Sequence, residues 1–321
     1  MPSRPAACVA AAAALAAIAL APAAALGQPA APASPAPAAS PAAAPSGPGA
    51  MAAINPADPW PGMKRLLVIA DVQTGFHHDS INHAIGVIEQ LGREHHEWAT
   101  VIRTDSQLLT KAPIVGQGTR YAGRPVNARN LTQFDAVFFL GSGTSTLTEQ
   151  QKADLLSFVR EDGKGFVAGH AASVAYYDWP AYLDMIGGFM DYEYRPAPMA
   201  LLTEDPAFPG ARAFPRRFVF NDQFPVMRAP FSSKDVHVIL RLDADALTPE
   251  QRSHRPDGDI PVVWAKTYGK GRVYNLTIGH REEVWDDAAF RELARQGIRW
   301  ALGLVKADAR SPAERDAEPA R

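Results

Sequence analysis

The strongest constraint on the fold is an apolar run that ends in a polar loop and is followed by a helical pattern. Residues 65–71 have the sequence RLLVIAD, which is typical of a strand buried on both faces. After Asp79 or Ser80, either of which can cap a helix, apolar residues recur at helical spacing over 81–91. Strand-like and helical segments continue to alternate as far as residue 170. This alternation predicts an α/β fold with a doubly wound, mostly parallel sheet.

The second half of the chain predicts an added antiparallel β portion. Residues 261–267 and 272–278 flank the turn sequence YGKG, which favours an antiparallel hairpin. An amphipathic helix is predicted at 286–304, where it closes the domain. Further β-like segments with few helical intervals precede the hairpin at 199–204, 216–220 and 236–242.

The N-terminus has the pattern of an export signal. The first 61 residues contain only two charged side chains, Arg4 and Asp58. An apolar run ends in ALG at 25–27, which places small residues where signal peptidase cleaves. We therefore expect residues 1–27 to be a cleaved signal peptide and the mature protein to be periplasmic or secreted, without stable membrane insertion. A retained anchor is the alternative, because the apolar run approaches the ~20 residues of a membrane span.

The rest of the chain divides into a linker, one domain and a tail. Residues 28–61 contain ten prolines among Ala, Ser and Gly, which predicts a disordered linker. The charged, aperiodic residues 306–321 predict a disordered tail. The domain at 62–305 has about 240 residues, enough to bury a large core. Its core must suffice without disulfides, because the only cysteine, Cys8, lies in the leader.

The charge balance limits the classes of partner. The chain has 32 basic and 34 acidic residues, so neither nucleic acid nor an anionic membrane surface is an expected partner. A small molecule is the expected partner, and the oligomeric state stays open.

The ends of the predicted parallel strands indicate where a site would lie. Ligands of open parallel sheets bind outside the carboxyl ends of the strands. The predicted strands end in the loop at 71–79, in the sequence GSG at 141–143 and in GHAAS at 169–173. Two of these three places contain histidine, and His280 ends the second strand of the predicted hairpin. A reactive site is therefore expected at this edge of the sheet.

Four histidines are the main candidates for chemistry, since imidazole is both an acid/base near neutral pH and the commonest metal ligand. His77 and His78 are adjacent, and the alternative for this pair is a turn that caps the next helix. His170 lies between small residues at a sharp turn, similar to a nucleophile elbow with imidazole in place of the nucleophile. We predict catalytic roles for His170 and His280, and a divalent metal site made by His77, His170 and His280.

One carboxylate joins the predicted catalytic residues. Asp222 lies in the aromatic-rich sequence FNDQF, and carboxylates beside aromatic rings suit sugars; the alternative is an Asn-Asp turn. Nucleophilic catalysis has little support, because the chain has no Gly-x-Ser-x-Gly sequence and no cysteine outside the leader. The predicted substrate-binding residues are His77, His78, Asp71, Gly141, Ser142 and Tyr177.

These motifs together resemble the ThuA-like (trehalose utilisation) family. The resemblance rests, in chain order, on GFHHDSI at 75–81, the strand at 134–141, GFVAGHAA at 165–172, PVVW at 261–264 with YGKGRVY at 268–274, LTIGH at 276–280 and GIRWA at 297–301. It implies a class I glutamine amidotransferase-like fold that lacks the nucleophilic cysteine, and hence no amidotransferase activity. It also implies a role in the catabolism of disaccharides and their keto derivatives.

The resemblance assigns roles residue by residue. The positions that match the histidine motifs of the family are His77 or His78, His170 and His280. Asp222 matches its acidic position, although this chain has Asp-Gln where many relatives have Asp-Glu.

Three functions follow from these observations. The first is an exported enzyme acting on a sugar or keto-sugar, a metal-assisted hydrolase or lyase in which three ligands leave one position open to activate water. The second is a non-catalytic carbohydrate-binding or accessory module. The third is a structural or partner-binding relic of the amidotransferase fold.

Overall fold

The computed structural model describes residues 60–317, apart from 73–74, 117–118, 120–121, 125 and 127. The predicted signal peptide at 1–27 and nearly all of the predicted linker at 28–61 lie outside the described residues. Within the described part, no helix combines the length and the apolar character needed to cross a membrane.

Strands and helices alternate through the first half of the described chain, and strands predominate in the second. The strands are β1 (Lys64–Asp71), β2 (Trp98–Arg103), β3 (Ala136–Gly141), β4 (Gly165–Gly169), β5 (Met190–Glu193), β6 (Ala197–Thr203), β7 (Arg217–Asp222), β8 (Pro225–Met227), β9 (His237–Leu242), β10 (Pro261–Tyr268) and β11 (Gly271–Leu276). The helices are α1 (Ser80–Glu94), α2 (Glu149–Arg160), α3 (Pro180–Ile186), α4 (Pro249–Ser253), α5 (Ala288–Ala301) and α6 (Pro312–Asp316).

Nine of these strands form one sheet in the order β2-β1-β3-β4-β11-β10-β9-β6-β7. The pairs from β2 to β11 are parallel. The pairs from β11 to β7 are antiparallel. The strands β5 and β8 make a separate antiparallel pair. The predicted α/β fold, with a parallel sheet and an added antiparallel portion, is confirmed.

The central parallel strands β3 and β4 are apolar because helices cover both faces of the sheet. Every residue of β3 and β4 is buried. Alternate side chains point to opposite faces, so Phe138 packs in the cluster that contains α1 and α5, whereas Phe139 packs with α2 and α3. A strand that is apolar on both faces therefore contributes side chains to both hydrophobic clusters, one on each side of the sheet.

The strand order creates a switch point between β1 and β3. The chain leaves β1 through α1 toward β2, then returns across β1 to β3 and continues outward through α2 to β4. The helices α1 and α2 cover opposite faces, and ligands of open parallel sheets bind outside the carboxyl ends of the strands at such a point. The candidate site lies at this edge of the sheet.

The C-terminal segment differs from the prediction. Residues 306–317, which the sequence predicts to be disordered, have defined positions and include α6. Ser311 caps α6 in a reciprocal pair with Glu314, and the guanidinium of Arg315 donates to Nδ1 of His237 at 2.8 Å. A helix of five residues is too short to show periodicity, so its cap and its tertiary contacts were not distinguishable from a charged tail.

Candidate functional site

Three histidines from distant parts of the sequence meet at the carboxyl edge of the parallel strands. His78 lies in the loop after β1, His170 directly follows β4, and His280 follows β11. The strands β1, β4 and β11 are close neighbours in the parallel part of the sheet, with β3 between β1 and β4. The fold thus brings together residues more than 200 positions apart.

The ring nitrogens of the three histidines converge on a common point. The Nε2 atom of His170 lies 3.3 Å from Nε2 of His78 and 3.1 Å from Nδ1 of His280. One nitrogen from each ring can be chosen so that all three lie within 4.8 Å of one another. We call His78, His170 and His280 the histidine cluster.

The orientation of His170 is fixed by a backbone carbonyl. Its Nδ1–H donates to the oxygen of Thr277 at 2.8 Å, because the carbonyl can only accept. The proton is therefore on Nδ1, and the lone pair of Nε2 points toward the other two rings. Thr277 is itself buried and follows β11, so the strand next to β4 sets the tautomer of the central histidine.

Glycines allow the close approach of the backbones that carry the histidines. A Cβ atom on Gly169 would lie 2.6 Å from Cε1 of Phe138, so the residue before His170 must be glycine for β4 to pack on β3. Gly279 has a φ of +118°, a left-handed conformation that favours glycine. It turns the chain between β11 and His280.

Asp222 secures the loop that carries His280. Its carboxylate is fully buried and accepts the backbone N–H groups of Gly279 at 2.5 Å, His280 at 3.3 Å and Arg281 at 3.2 Å. The structure does not place Asp222 among the converging ligand atoms. Its geometry is that of a positioning residue, which differs from the catalytic role predicted from the sequence.

Burial keeps the histidine cluster neutral. Desolvation, followed by the proximity of His280, lowers the pKa of His78 to about 4. Desolvation, followed by the proximity of His78, lowers the pKa of His170 to about 3. The pKa of His280 is also lowered by burial, against an opposing effect of the Asp222 carboxylate. Near pH 7 the cluster is therefore three neutral imidazoles, the form that binds metal ions.

Of the adjacent residues His77 and His78, the one that lies near His170 and His280 is not the one predicted as a metal ligand. His77 is exposed, while His78 is buried and joins the cluster. His78, and not the predicted ligand His77, thus lies with His170 and His280. The sequence prediction named His78 as a substrate-binding residue and, through the resemblance, as the alternative to His77. Residues in a loop have no periodicity that would show which neighbour points inward, so the sequence could not separate the two.

Three of the four remaining predicted binding residues lie in three different environments. Gly141 lines a small cavity of about 10 Å³ beside His78 and His170. Ser142 donates its hydroxyl to the carbonyl of Phe76 at 3.1 Å, which ties the loop after β3 to the loop after β1. Tyr177 is half exposed and lines a separate cleft that shares no residue with this small cavity.

Asp71 belongs to a buried polar network beside the histidine cluster. The hydroxyl of Ser106 donates to the carboxylate of Asp71 and lies 2.6 Å from the hydroxyl of Tyr176. All three side chains are almost fully buried. Ser106 and Tyr176 were missed in the sequence, since a single Ser in a loop and one Tyr in an aromatic stretch carry no distinguishing pattern.

An exposed aromatic ring lies beside the histidine cluster. The small cavity next to His78 and His170 is bounded by apolar residues such as Ile81 and Leu140 and has no room for a substrate. Phe76 is 73% exposed, and its ring meets that of His78 edge to face at a centroid distance of 4.8 Å. Within the cluster, His280 is the partly exposed member, whereas His78 and His170 are buried.

The fold and the site define a class of protein: a doubly wound α/β protein with a histidine cluster at the carboxyl edge of its sheet. The family model ThuA, described as trehalose utilisation, matches residues 65–301. The chain belongs to the ThuA family.

Solved structures agree with this assignment. A ThuA-like protein from Bacteroides uniformis is 20% identical, with a TM-score of 0.55, over 74% of this chain and 91% of the other. A ThuA-like protein from Parabacteroides merdae is 16% identical, also with a TM-score of 0.55, over 78% of this chain and 96% of the other. At these identities the likeness shows the fold alone. No functionally curated protein matches the sequence.

Proposed function

We propose that the protein is an exported enzyme that acts on a sugar or keto-sugar as a metal-assisted hydrolase or lyase, with a divalent metal bound by His78, His170 and His280. The observation that carries the proposal is the convergence of three neutral imidazoles on one point. Near neutral pH, no charge on these rings opposes a cation there.

The distances from His170 to the two other histidines fit a metal ion. Two nitrogens that each lie about 2.0–2.1 Å from a tetrahedral zinc ion are about 3.3 Å apart. The separations from Nε2 of His170 are 3.3 and 3.1 Å. Because the proton of His170 is on Nδ1, its Nε2 atom offers a lone pair and cannot donate a hydrogen bond to His78 or His280. A divalent cation would satisfy all three nitrogens together.

Neighbouring groups hold the histidine cluster in an orientation that would suit metal binding. The carbonyl of Thr277 orients His170, and the carboxylate of Asp222 fixes the backbone that carries His280. Three protein ligands leave a coordination position for water or substrate, and the bound ion would act there as a Lewis acid. The chain would bind the substrate beside Phe76, whose exposed ring suits the apolar face of a sugar.

The substrate class and the location rest on further observations. The description of the family as trehalose utilisation supports a sugar or a sugar derivative. The apolar leader at 1–27, with small residues at its end, supports export to the periplasm or beyond. The substrate would then be a solute found outside the cytoplasm. Sequencing the N-terminus of the secreted protein tests this, and we expect it to begin near Gln28.

The metal is tested with the adjacent histidines as a matched pair. The metal content of the purified protein, His78→Ala and His77→Ala is measured by inductively coupled plasma mass spectrometry. We expect close to one equivalent of a divalent metal in the wild type and in His77→Ala. Removing one of three ligands should weaken binding at least about 100-fold, so His78→Ala should lose the metal. Equal metal content in the two variants would contradict the proposed ligand set.

Turnover separates the enzyme from an accessory module. Disaccharides and their keto derivatives are incubated with the wild type and with His78→Ala, and the products are identified by mass spectrometry. We expect bond cleavage that requires both the metal and His78. A metal-free protein that binds these sugars without changing them would support the non-catalytic carbohydrate-binding module instead.

A further inference from the structure

A second, larger cavity lies beside helix α3, away from the small cavity at the histidine cluster. This lateral cleft has a volume of about 520 Å³ and lies between the C-terminal end of α3 and residues 228–236. Its volume is within the range of small-molecule sites, about 300–1,000 Å³. It shares no lining residue with the small cavity next to His78 and His170.

One wall of the lateral cleft is aromatic. The side chain of Tyr177 is 50% exposed, and its ring meets that of Phe189 edge to face at a centroid distance of 6.3 Å. The guanidinium of Arg228 lies 4.7 Å from the centre of the Phe189 ring. The wall thus presents the exposed ring of Tyr177, and Phe189 beside it contacts the guanidinium of Arg228.

The backbone presents Tyr177 to the cleft in a specific way. The preceding residue, Tyr176, is buried and has a φ of +51°, which is unfavourable for a residue with a side chain. Its N–H donates to the carbonyl of Gly143 at 2.6 Å, and its carbonyl accepts the N–H of Trp179 at 2.7 Å. These bonds maintain a turn that buries one tyrosine and exposes the next.

The floor of the cleft requires small residues. Gly187 ends α3 with a φ of +98°, a conformation that favours glycine. A Cβ atom on Gly188 would lie 2.7 Å from Cδ2 of Phe231. Two consecutive glycines therefore let the chain pass close to Phe231 and leave the space beside it open.

The charges around the cleft are balanced. The amine of Lys266 donates to the backbone carbonyl of Asp184 at 2.7 Å, and the Nε–H of Arg228 donates to Asp191 at 3.1 Å. Asp184 and Asp235 add carboxylates to the lining. Two cations and two carboxylates in the lining balance in formal charge, which disfavours an anionic ligand, and these four charged side chains disfavour a purely apolar one.

We propose that the lateral cleft is a second binding site, which takes a neutral sugar ring. The apolar face of the ring would stack on the exposed ring of Tyr177 beside Phe189, and its hydroxyl groups would bond to Lys266 and to the carboxylates of Asp184 and Asp235. The site is independent of the metal and of the proposed reaction. It holds a polyhydroxylated ligand on the same domain, apart from the histidine cluster.

The experiment measures binding of two probe sugars, D-glucose and α,α-trehalose, by saturation-transfer difference NMR. We expect saturation transfer to the ring protons of at least one sugar, in the wild type and also in His170→Ala, where the proposed metal site is removed. Retention in His170→Ala shows that this binding does not depend on the proposed metal site, whatever the outcome for the proposed function, and the substitutions of Tyr177 then assign it to the cleft.

Tyr177→Ala should raise the Kd of the bound sugar about three- to tenfold, because stacking on one ring is lost. Tyr177→Phe should keep the Kd within about twofold, since the ring remains. Tyr192→Ala is the matched control, as Tyr192 is a partly exposed tyrosine on β5 outside the cleft. The proposal is overturned if neither sugar shows saturation transfer, if Tyr177→Ala binds as the wild type does, or if D-gluconate binds more tightly than D-glucose.

Discussion

The parallel and antiparallel halves of the sheet contribute to the histidine cluster in different ways. In the parallel half, β4 is buried along its whole length and ends at His170. In the antiparallel half, the edge strand β7 has exposed and partly exposed residues until its last position, Asp222, which is fully buried. A buried carboxylate at the end of an exposed strand requires partners, and its partners are the N–H groups of the loop at 279–281.

This difference shows how the two halves share one site. Parallel strands end at the same edge, so they can supply converging ligands. The antiparallel strands supply none of the three ligands, but through Asp222 they fix the turn on which His280 lies. The candidate chemistry therefore belongs to the parallel half, and part of the positioning belongs to the antiparallel half.

Substitution of Asp222 should have the largest effect, and it tests whether the antiparallel half positions the turn that carries His280. Asp222→Ala would leave three backbone N–H groups without their acceptor, and we expect a loss of roughly 3–5 kcal/mol in the free energy of unfolding. Asp222→Asn retains one oxygen and should lose less. Urea unfolding measures both, with Asp245→Ala as the control, because the side chain of Asp245 is 97% exposed. A loss below about 1 kcal/mol for Asp222→Ala would refute its positioning role.

A pair of glycine substitutions tests the packing of the parallel half. In Gly169→Ala the new Cβ would lie 2.6 Å from Phe138, and overpacking should cost roughly 1–3 kcal/mol of unfolding free energy. In Gly86→Ala, on helix α1, the new Cβ meets nothing within 4 Å, and the change should stabilise the helix by roughly 0.5–1 kcal/mol. The two variants should shift the urea midpoint in opposite directions. A shift in the same direction would contradict the close contact of β4 with β3.

Lowering the pH should destabilise the metal-free protein, because His170, which follows the parallel strand β4, is buried and neutral. An unfolded histidine takes up a proton near pH 6.5, whereas burial lowers the pKa of His170 to about 3 in the folded state. Between these values the unfolded chain binds more protons, so stability is fully present above about pH 6.5 and falls as the pH drops. For His170 alone the loss between pH 7 and pH 5 is roughly 2 kcal/mol.

Urea unfolding of chelator-treated protein over this pH range measures the effect. His170→Gln should flatten the dependence of stability on pH, while His77→Ala, which removes an exposed histidine, should leave it unchanged. The same slope in all three proteins would show that the histidine cluster is not neutral in the folded state.

The smallest expected effect is that of Ser106. Ser106→Ala removes the hydroxyl between Asp71 and Tyr176 and should cost about 1 kcal/mol, because Asp71 has other interactions. The metal content should not change, since the network only borders the histidine cluster. Thermal unfolding and metal analysis of this variant check both statements, and a loss of metal would extend the metal site to the network.

Much of the fold was predictable because its signals are local. The apolar run at 65–71 and the helical spacing over 81–91 each specify one element, and strands β1, β3, β4, β10 and β11 were all predicted. The short elements α3, β5 and β8 were missed. They have between three and seven residues, which is too few for either period to appear.

The sequence by itself determined the α/β class, the edge of the sheet where a site would lie, and two of the three members of the histidine cluster, His170 and His280. These follow from periodicity and from the rule that parallel strands end together. Only the tertiary structure decided that His78 and not His77 joins them, that Asp222 secures a loop, and that Tyr177 faces another cleft. The physical reason is that side-chain direction in loops, and the partners of a buried carboxylate, depend on contacts between segments that are distant in sequence.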